Sequence, residues 1–363
     1  MPHQAPARSL LRTYLLNLTA LLLSALLASA AQANVAWREL PARGEDGPVT
    51  VFYPSETAEQ ARRFGPFGEL SLAAEGEPAP AHGNGRLVLI SHGSGGGPWG
   101  HAQLAQALVR AGFVVAVPWH RADNFRDPSR PGPDSWKLRP AEMSRAIDVV
   151  AADVPLARFA LDLKRVGAYG MSAGGHTVLS LAGGRWSPAG FKRHCDMHLA
   201  EDFQFCVGLI TRLNGGGLDG LKQWLARRVH AWRFADDTAQ AHEDPRIRAV
   251  VAAVPAAADF ELDSLAQPRI PLALLTARQD TWLHPQWHSD AVLQRCRQAP
   301  RQPCEQLADL PQGGHGAYLA PLPAGLDGLL GDLLNDPPGF DRAQLTEIDA
   351  RVLRFFQKHL LQP

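Results

Sequence analysis

The segment Gly170-Met171-Ser172-Ala173-Gly174 constrains this chain more than any other. It follows the apolar run Val166-Gly167-Ala168-Tyr169 and leads into Gly175-His176-Thr177-Val178-Leu179. A strand, a sharp turn and a helix in that order place the Ser172 hydroxyl at a helix N-terminus. The flanking glycines leave room for strained backbone and for close helix–strand contact. With 33 glycines among 363 residues, a G-x-S-x-G also arises by chance. The reading therefore rests on the segments around the motif and on the acid and histidine positions downstream of it.

Around the motif, strands and helices alternate. Val49-Thr50-Val51-Phe52-Tyr53-Pro54 is a short strand inside an N-terminal β region, and a Pro/Gly/Ala-rich loop runs from Ala74 to Gly85. Arg86 to Ser91 is a continuous apolar strand of the kind buried in a parallel sheet. The glycine loop His92-Gly93-Ser94-Gly95-Gly96-Gly97 follows, then a helix through Leu104 and Leu108 that Gly112 closes. Further strands are predicted at 113–117, 166–169, 248–254 and 272–276. A helix begins near Pro140, and another spans Leu345 to Leu360. This order predicts an α/β fold, a mostly parallel doubly wound sheet whose strand C-terminal ends share one ligand-binding edge. The longest interruption, Gly183 to Pro245, carries Leu218, Leu221, Leu225, Val229 and Trp232 at helical spacing. An insertion of that length reads as a cap over the site, or as decoration of the sheet edge.

The N-terminus predicts export. Arg8 and Arg12 precede an apolar stretch from Leu15 to Leu27, and Ala31-x-Ala33 fits a signal-peptidase site, so the mature chain is expected to start at Asn34. The alternative is an uncleaved anchor, which the short apolar core disfavours. No cysteine follows the site, which argues against a lipoprotein. The domain division is thus a signal segment, 1–33, and an α/β domain, 34–363, with the insertion at about 183–245, in the periplasm or outside the cell; by length alone the remaining chain fits one large α/β domain or two small ones. Lys and Arg total 36 and so do Asp and Glu. With no basic stripe, nucleic acid is not an expected partner. No later segment is apolar enough to span a bilayer, so no stable membrane insertion is expected once the signal is cleaved. In an oxidising compartment the local pairs Cys195–Cys206 and Cys296–Cys304 are the expected disulfides. The competing reading is a metal site in His194-Cys195-Asp196-Met197-His198, which lacks a second ligand pair.

A serine nucleophile needs a histidine base, and the base needs a carboxylate to hold its tautomer. Behind an elbow of this type the chain order is serine, acid, histidine. Asp280 lies just past the strand 272–276, and His315 lies later in Gly313-Gly314-His315-Gly316. Asp259, after the strand 248–254, is the alternative acid, and Asp280 has a competing role as cap of the turn after it. His284 and His288 follow Asp280 too closely to serve as base, and His359 belongs to the terminal helix. The oxyanion formed on carbonyl attack needs backbone donors. These are expected from Ala173 and from Ser94, with Gly93 the alternative to Ser94. The glycine loop lacks the G-K-[ST] ending of a phosphate loop. Trp99, Trp119 and Trp282 are candidates for an apolar acyl pocket, with plain core as their other reading.

Together these segments resemble the α/β-hydrolase superfamily. Within it, they resemble the predicted dienelactone hydrolases and the platelet-activating-factor acetylhydrolase-like serine esterases. The resemblance is carried by 46–54, 89–96, 112–118, 170–175 and 244–250, and extends from about Asp46 to the terminal helix. It implies a hydrolase without cofactor or metal, acting on small-molecule or lipid esters. Dienelactone hydrolases carry cysteine where this chain has Ser172, which puts dienelactone activity itself in doubt. The acetylhydrolase relatives place their acid one strand earlier, which favours Asp259; Arg278-Gln279-Asp280 fits the commoner placement. The expected activity is carboxylic-ester hydrolysis through an acyl-enzyme. A lipase or phospholipid acetyl-hydrolase, a serine peptidase of the same fold and a non-catalytic binding module are the alternatives.

Overall fold

The computed structural model describes residues 33–73, 82–299, 304–323 and 325–362. The expected signal segment up to residue 32, and most of the Ala74–Gly85 loop, lie outside the described residues. Among these, the main sheet has eight strands: β1 Asn34–Leu40, β2 Val49–Ser55, β5 Leu87–Ser91, β6 Val114–Pro118, β7 Val166–Met171, β8 Ile247–Ala253, β9 Leu272–Ala277 and β10 Cys304–Leu310. A separate hairpin pairs β3, Gln60–Arg63, with β4, Glu69–Leu72. The order across the main sheet is β1-β2-β6-β5-β7-β8-β9-β10. β2 runs antiparallel to both neighbours; every other pairing is parallel. This is the α/β class and the α/β-hydrolase arrangement.

The central strands are buried on both faces, so they read as unbroken apolar runs rather than alternating ones. Alternate side chains enter two separate cores. Leu87 and Leu89 join Met143, Ile147, Val178 and Leu179 on one face. Val88 and Ile90 join Leu104, Leu108, Val352 and Phe355 on the other. The helices that supply these side chains are α1 Ala102–Arg110, α3 Arg139–Ala151, α4 Ala173–Leu181 and α10 Leu345–Phe356. A one-turn helix, α2 Pro133–Trp136, interrupts the polar loop read between Arg121 and Arg139.

From β5 the chain steps outward to β6, then returns across β5 to β7. The strand order reverses there, and in open α/β sheets ligands bind outside the strand ends at such a point. The loop after β5 is the glycine loop and the loop after β7 is the Ser172 turn, so the two segments picked out from sequence are neighbours.

Two regions depart from the sequence reading. β10 is one of them: as the sheet's edge strand it is half exposed, and it mixes polar Glu305, Gln306 and Asp309 with apolar Leu307, Ala308 and Leu310. The insertion is the other: beside the helix read from Leu218 to Trp232, which is α7 Asp219–Arg233, it holds α5 Pro188–His198 and α6 Phe203–Val207, which the sequence reading did not give; α8, Ser289–Arg297, follows β9. Both disulfides are present, Cys195 to Cys206 between α5 and α6, and Cys296 to Cys304 between α8 and β10. The Cys195 thiolate is therefore not open to a metal. No helix among the described residues is long and apolar enough to cross a membrane.

Candidate active site

Ser172 sits between β7 and α4 with φ 58° and ψ −118°, a backbone conformation costly for a residue with a side chain. The turn is closed by backbone on all sides: the Ser172 N–H donates to the Ala253 carbonyl, and the Ser172 carbonyl accepts from His176 and Ala256. A Cβ on Gly170 would collide with the Gly174 carbonyl, and one on Gly174 with the Ser91 carbonyl. The glycines of the motif are thus required by close approach of three backbone segments. The result is a hydroxyl on a fixed ledge at the start of a fully buried helix.

His315 Nε2 lies 3.0 Å from Ser172 Oγ, and His315 Nδ1 lies 2.7 Å from Asp280 Oδ2. Asp280 is 1% exposed and His315 5%. Their loops follow β9 and β10 and are joined by backbone hydrogen bonds, Arg278 N–H to the Leu310 carbonyl and Gln279 N–H to the Gly313 carbonyl. The acid and the base are set by one piece of backbone. The second oxygen, Asp280 Oδ1, accepts from the Trp282 and Leu283 amides, each at 2.8 Å. Turn cap and histidine partner are therefore roles of two different oxygens of the same carboxylate. The glycine after His315 answers to space, not to flexibility: a Cβ on Gly316 would strike the backbone of Leu334, in α9 (Gly328–Leu334).

Asp259 is directed elsewhere. Its Oδ2 lies 3.1 Å from His176 Nε2, inside α4, with the Trp136, Trp186 and Phe260 rings packed on that imidazole. His288 is also taken, its Nδ1 accepting from the Ala257 amide and its Nε2 facing Asp202.

The glycine loop borders the hydroxyl. A Cβ built on Gly93 would lie 3.5 Å from the Ser172 Cβ, in ordinary contact. Ala173 begins α4, so its amide belongs to the helix's unpaired first turn. Behind the loop stands a buried ion pair that sequence reading missed. Arg139 Nη2 lies 2.7 Å from Asp123 Oδ2, and both side chains are wholly buried. Arg139 also donates to the His92 carbonyl at 2.6 Å. Asp123 Oδ1 in turn accepts from Ser94 Oγ and the Gly95 amide. The loop is held from below by charge-assisted bonds. No local pattern marks Arg139 or Asp123, since the pairing spans the whole 121–139 loop.

Next to that pair, His120 bridges Ser91 Oγ at 2.7 Å and Glu142 Oε2 at 2.6 Å. Burial pushes Glu142 up to about 7, against the pull of Arg139. Burial also depresses His92 and His120 well below the usual histidine range, with neighbouring positive charge adding to it. These groups form a buried, hydrogen-bonded floor under the loop.

Of the three tryptophans, Trp99 and Trp119 pack edge to face at 5.3 Å, and Trp119 donates to Thr50 Oγ1. Both belong to the core on the α1 side of the sheet. Trp282 stands two residues past Asp280 and donates its indole N–H to the Asp332 carbonyl on α9.

No protein-family model matches the chain, and no curated protein matches it. Among solved structures, a "Putative Dienelactone Hydrolase" from Klebsiella pneumoniae subsp. pneumoniae is similar to it. The two are 14% identical, the match covers 90% of this chain and 98% of that one, and the TM-score is 0.45.

Proposed function

We propose that the protein is an exported serine hydrolase that cleaves carboxylic esters through an acyl-enzyme. The observation that carries the reading is the hydrogen-bonded line from Ser172 Oγ through His315 to Asp280, set on a strained elbow. In this reading Ser172 Oγ attacks the ester carbonyl while His315 Nε2 takes its proton. Asp280 holds the Nδ1–H tautomer and stabilises the imidazolium. His315 then returns the proton to the leaving alcohol, and a water repeats the sequence to release the acid.

The oxyanion is received by the Ala173 amide together with an amide of the His92-Gly93-Ser94 turn. The closeness of Gly93 to Ser172, where an added Cβ would touch the Ser172 Cβ, supports that turn as the second donor. The Arg139–Asp123 pair acts as a positioning device, keeping the turn in place before the negative charge develops. Export is supported by the sequence of residues 1–33 and by two disulfides, which persist in oxidising compartments.

The test is labelling by a fluorophosphonate probe together with turnover of p-nitrophenyl esters. Wild-type protein is expected to label at Ser172. Ser172→Ala is expected to abolish labelling and lower kcat by ~10⁴-fold or more. Undiminished turnover in that variant overturns the proposal. A protein that neither labels nor turns over esters, while folded, is instead a binding module on this fold.

A further inference from the structure

The insertion carries a helix packed the wrong way round for a soluble protein. In α7, Leu221, Trp224, Leu225, Val229 and Trp232 recur at three- and four-residue spacing and so form one stripe. An apolar stripe of this kind normally faces the core. Here it faces outward: Trp224 is 52% exposed and Trp232 83%. The segment before the helix adds Ile210 at 83% and Leu218 at 67%. The inward side sets only Ala226 against the core and is otherwise polar, with His230 buried and bonded to the Cys206 carbonyl at 3.0 Å, and Lys222 bonded to Asp219 and to the Arg212 carbonyl. Single exposed apolar residues need no explanation, but a contiguous set with two tryptophans marks a contact surface.

The charge around this stripe selects what it contacts. α7 carries Lys222, Arg227, Arg228 and Arg233 against a single acid, Asp219. The whole chain, by contrast, balances 36 positive and 36 negative residues. Lys222 and Arg233 have carboxylate partners, Asp219 and Asp134. Arg227 donates to a backbone carbonyl, that of Asp196, and Arg228 lies over the Trp224 ring. Among the described residues, neither has a carboxylate partner. A helix with Trp and Leu on one face and uncompensated arginines at its margin matches an interfacial helix on an anionic lipid surface. A second copy of the chain fits worse, since a two-fold contact would set this positive patch against itself.

The helix is also fastened to the body of the protein. Arg233 pairs with Asp134, Arg212 with Asp332, and the Cys195–Cys206 disulfide lies beneath His230. Asp332 is the residue whose carbonyl takes the Trp282 indole, two positions past Asp280. We infer that α7 is a docking face for anionic lipid surfaces, which holds the protein against a bilayer although no helix among the described residues crosses one. The inference stands whether or not Ser172 is a nucleophile.

The experiment is vesicle flotation with the purified exported protein. One vesicle set contains equal parts phosphatidylglycerol and phosphatidylcholine; the other contains phosphatidylcholine alone. The wild type is expected to float with the anionic set at least tenfold more than with the neutral set, less so at high salt. Trp224→Ser with Trp232→Ser, and separately Arg227→Gln with Arg228→Gln, are each expected to weaken flotation by roughly tenfold. Both variants should keep their melting temperature and their turnover of a soluble ester, and every variant carries the same N-terminus. Ser172→Ala should float as the wild type does, so failure of the catalytic reading and failure of this one are separable. Equal flotation with both vesicle sets, or unchanged flotation in the tryptophan variant, overturns the inference. So does sedimentation showing that the wild type self-associates through this face while floating with neither set.

Discussion

At the elbow, Gly170 to Gly175 lie among the backbones of Ser91, Ala253 and Pro255, and a single methyl group at Gly170 or Gly174 would collide with a carbonyl. Further along the same chain, α7 presents Leu221, Trp224 and Trp232 to solvent. In the first region residue type is dictated by steric closeness, so the sequence pattern admits one structure. In the second, the pattern fixes a helix and its apolar face but not the direction that face points, because the face is not packed into the described core. Tolerance should differ accordingly: changes at the sheet edge should alter chemistry, and changes in the insertion should alter docking or local stability and leave chemistry alone.

The largest effect that tests this comparison lies at the sheet edge. Asp280→Asn is expected to lower kcat by ~10³ to 10⁴-fold with little change in KM, because the amide orients His315 in the wrong tautomer. Asp259→Asn, within the His176 pair, is expected to leave kcat within a few-fold and to act on the melting temperature. Steady-state kinetics of the two variants on one soluble ester decide it. A greater loss in Asp259→Asn would reverse the assignment of the acid.

Much of the sheet edge was legible because each segment combines an apolar run with glycine or a charged residue directly after it. Val166 to Tyr169 before Ser172 and Leu272 to Thr276 before Asp280 are read in one step. What was not legible depends on distance in sequence. Arg139 and Asp123 look like ordinary polar residues of a loop, and only folding brings them together beneath His92. β10 was missed because an edge strand is half exposed, and Glu305, Gln306 and Asp309 break its apolar run. Trp99 and Trp119 stand after strands as a pocket lining would, yet pack edge to face in the core. In the insertion, spacing identified α7, but its outward direction stems from the polar contacts of His230 and Lys222, which no periodicity reports.

A second prediction sharpens the same contrast. The insertion is joined to the sheet through Asp202, whose Oδ2 lies 2.7 Å from His194 Nε2 and 3.1 Å from His288 Nε2. Burial works against its ionisation, but His288 and His194 on either side favour the carboxylate and hold it well below the usual range. A depressed carboxyl contributes stability that is full above its ordinary value of 3.8 and is lost as the pH falls through its folded value. Asp202→Ala leaves two imidazole donors without their acceptor and is expected to cost about 3 to 5 kcal/mol at neutral pH. Hydrogen exchange should show residues 188–233 losing protection first, with esterase turnover retained well below the melting temperature. Uniform loss of protection across the sheet would mean that the two regions do not open separately.

The smallest effect concerns the floor under the glycine loop, and its sign is the opposite. Burial raises Glu142 from 4.5 to about 7, so the folded protein holds this proton more tightly than the unfolded chain does. The group's contribution to stability is therefore full below pH 4.5 and falls as the pH rises to about 7. The depressed His92 and His120 run the other way, since the unfolded chain takes up their protons as the pH drops below 6.5. The wild-type profile superposes the two trends, and a difference between proteins separates them. Glu142→Gln keeps an acceptor near the Arg121 amide, 3.2 Å from Oε1 in the wild type, and removes the titration. The variant should match the wild type near pH 4.5 and exceed it at pH 8 by up to about 3 kcal/mol, read from denaturant midpoints at both values. Its turnover at pH 8 tests the comparison last. If the floor serves only to hold the Arg139–Asp123 bracket in place, turnover stays within a few-fold of wild type. A loss beyond that would place Glu142 and His120 in the proton chemistry of the site.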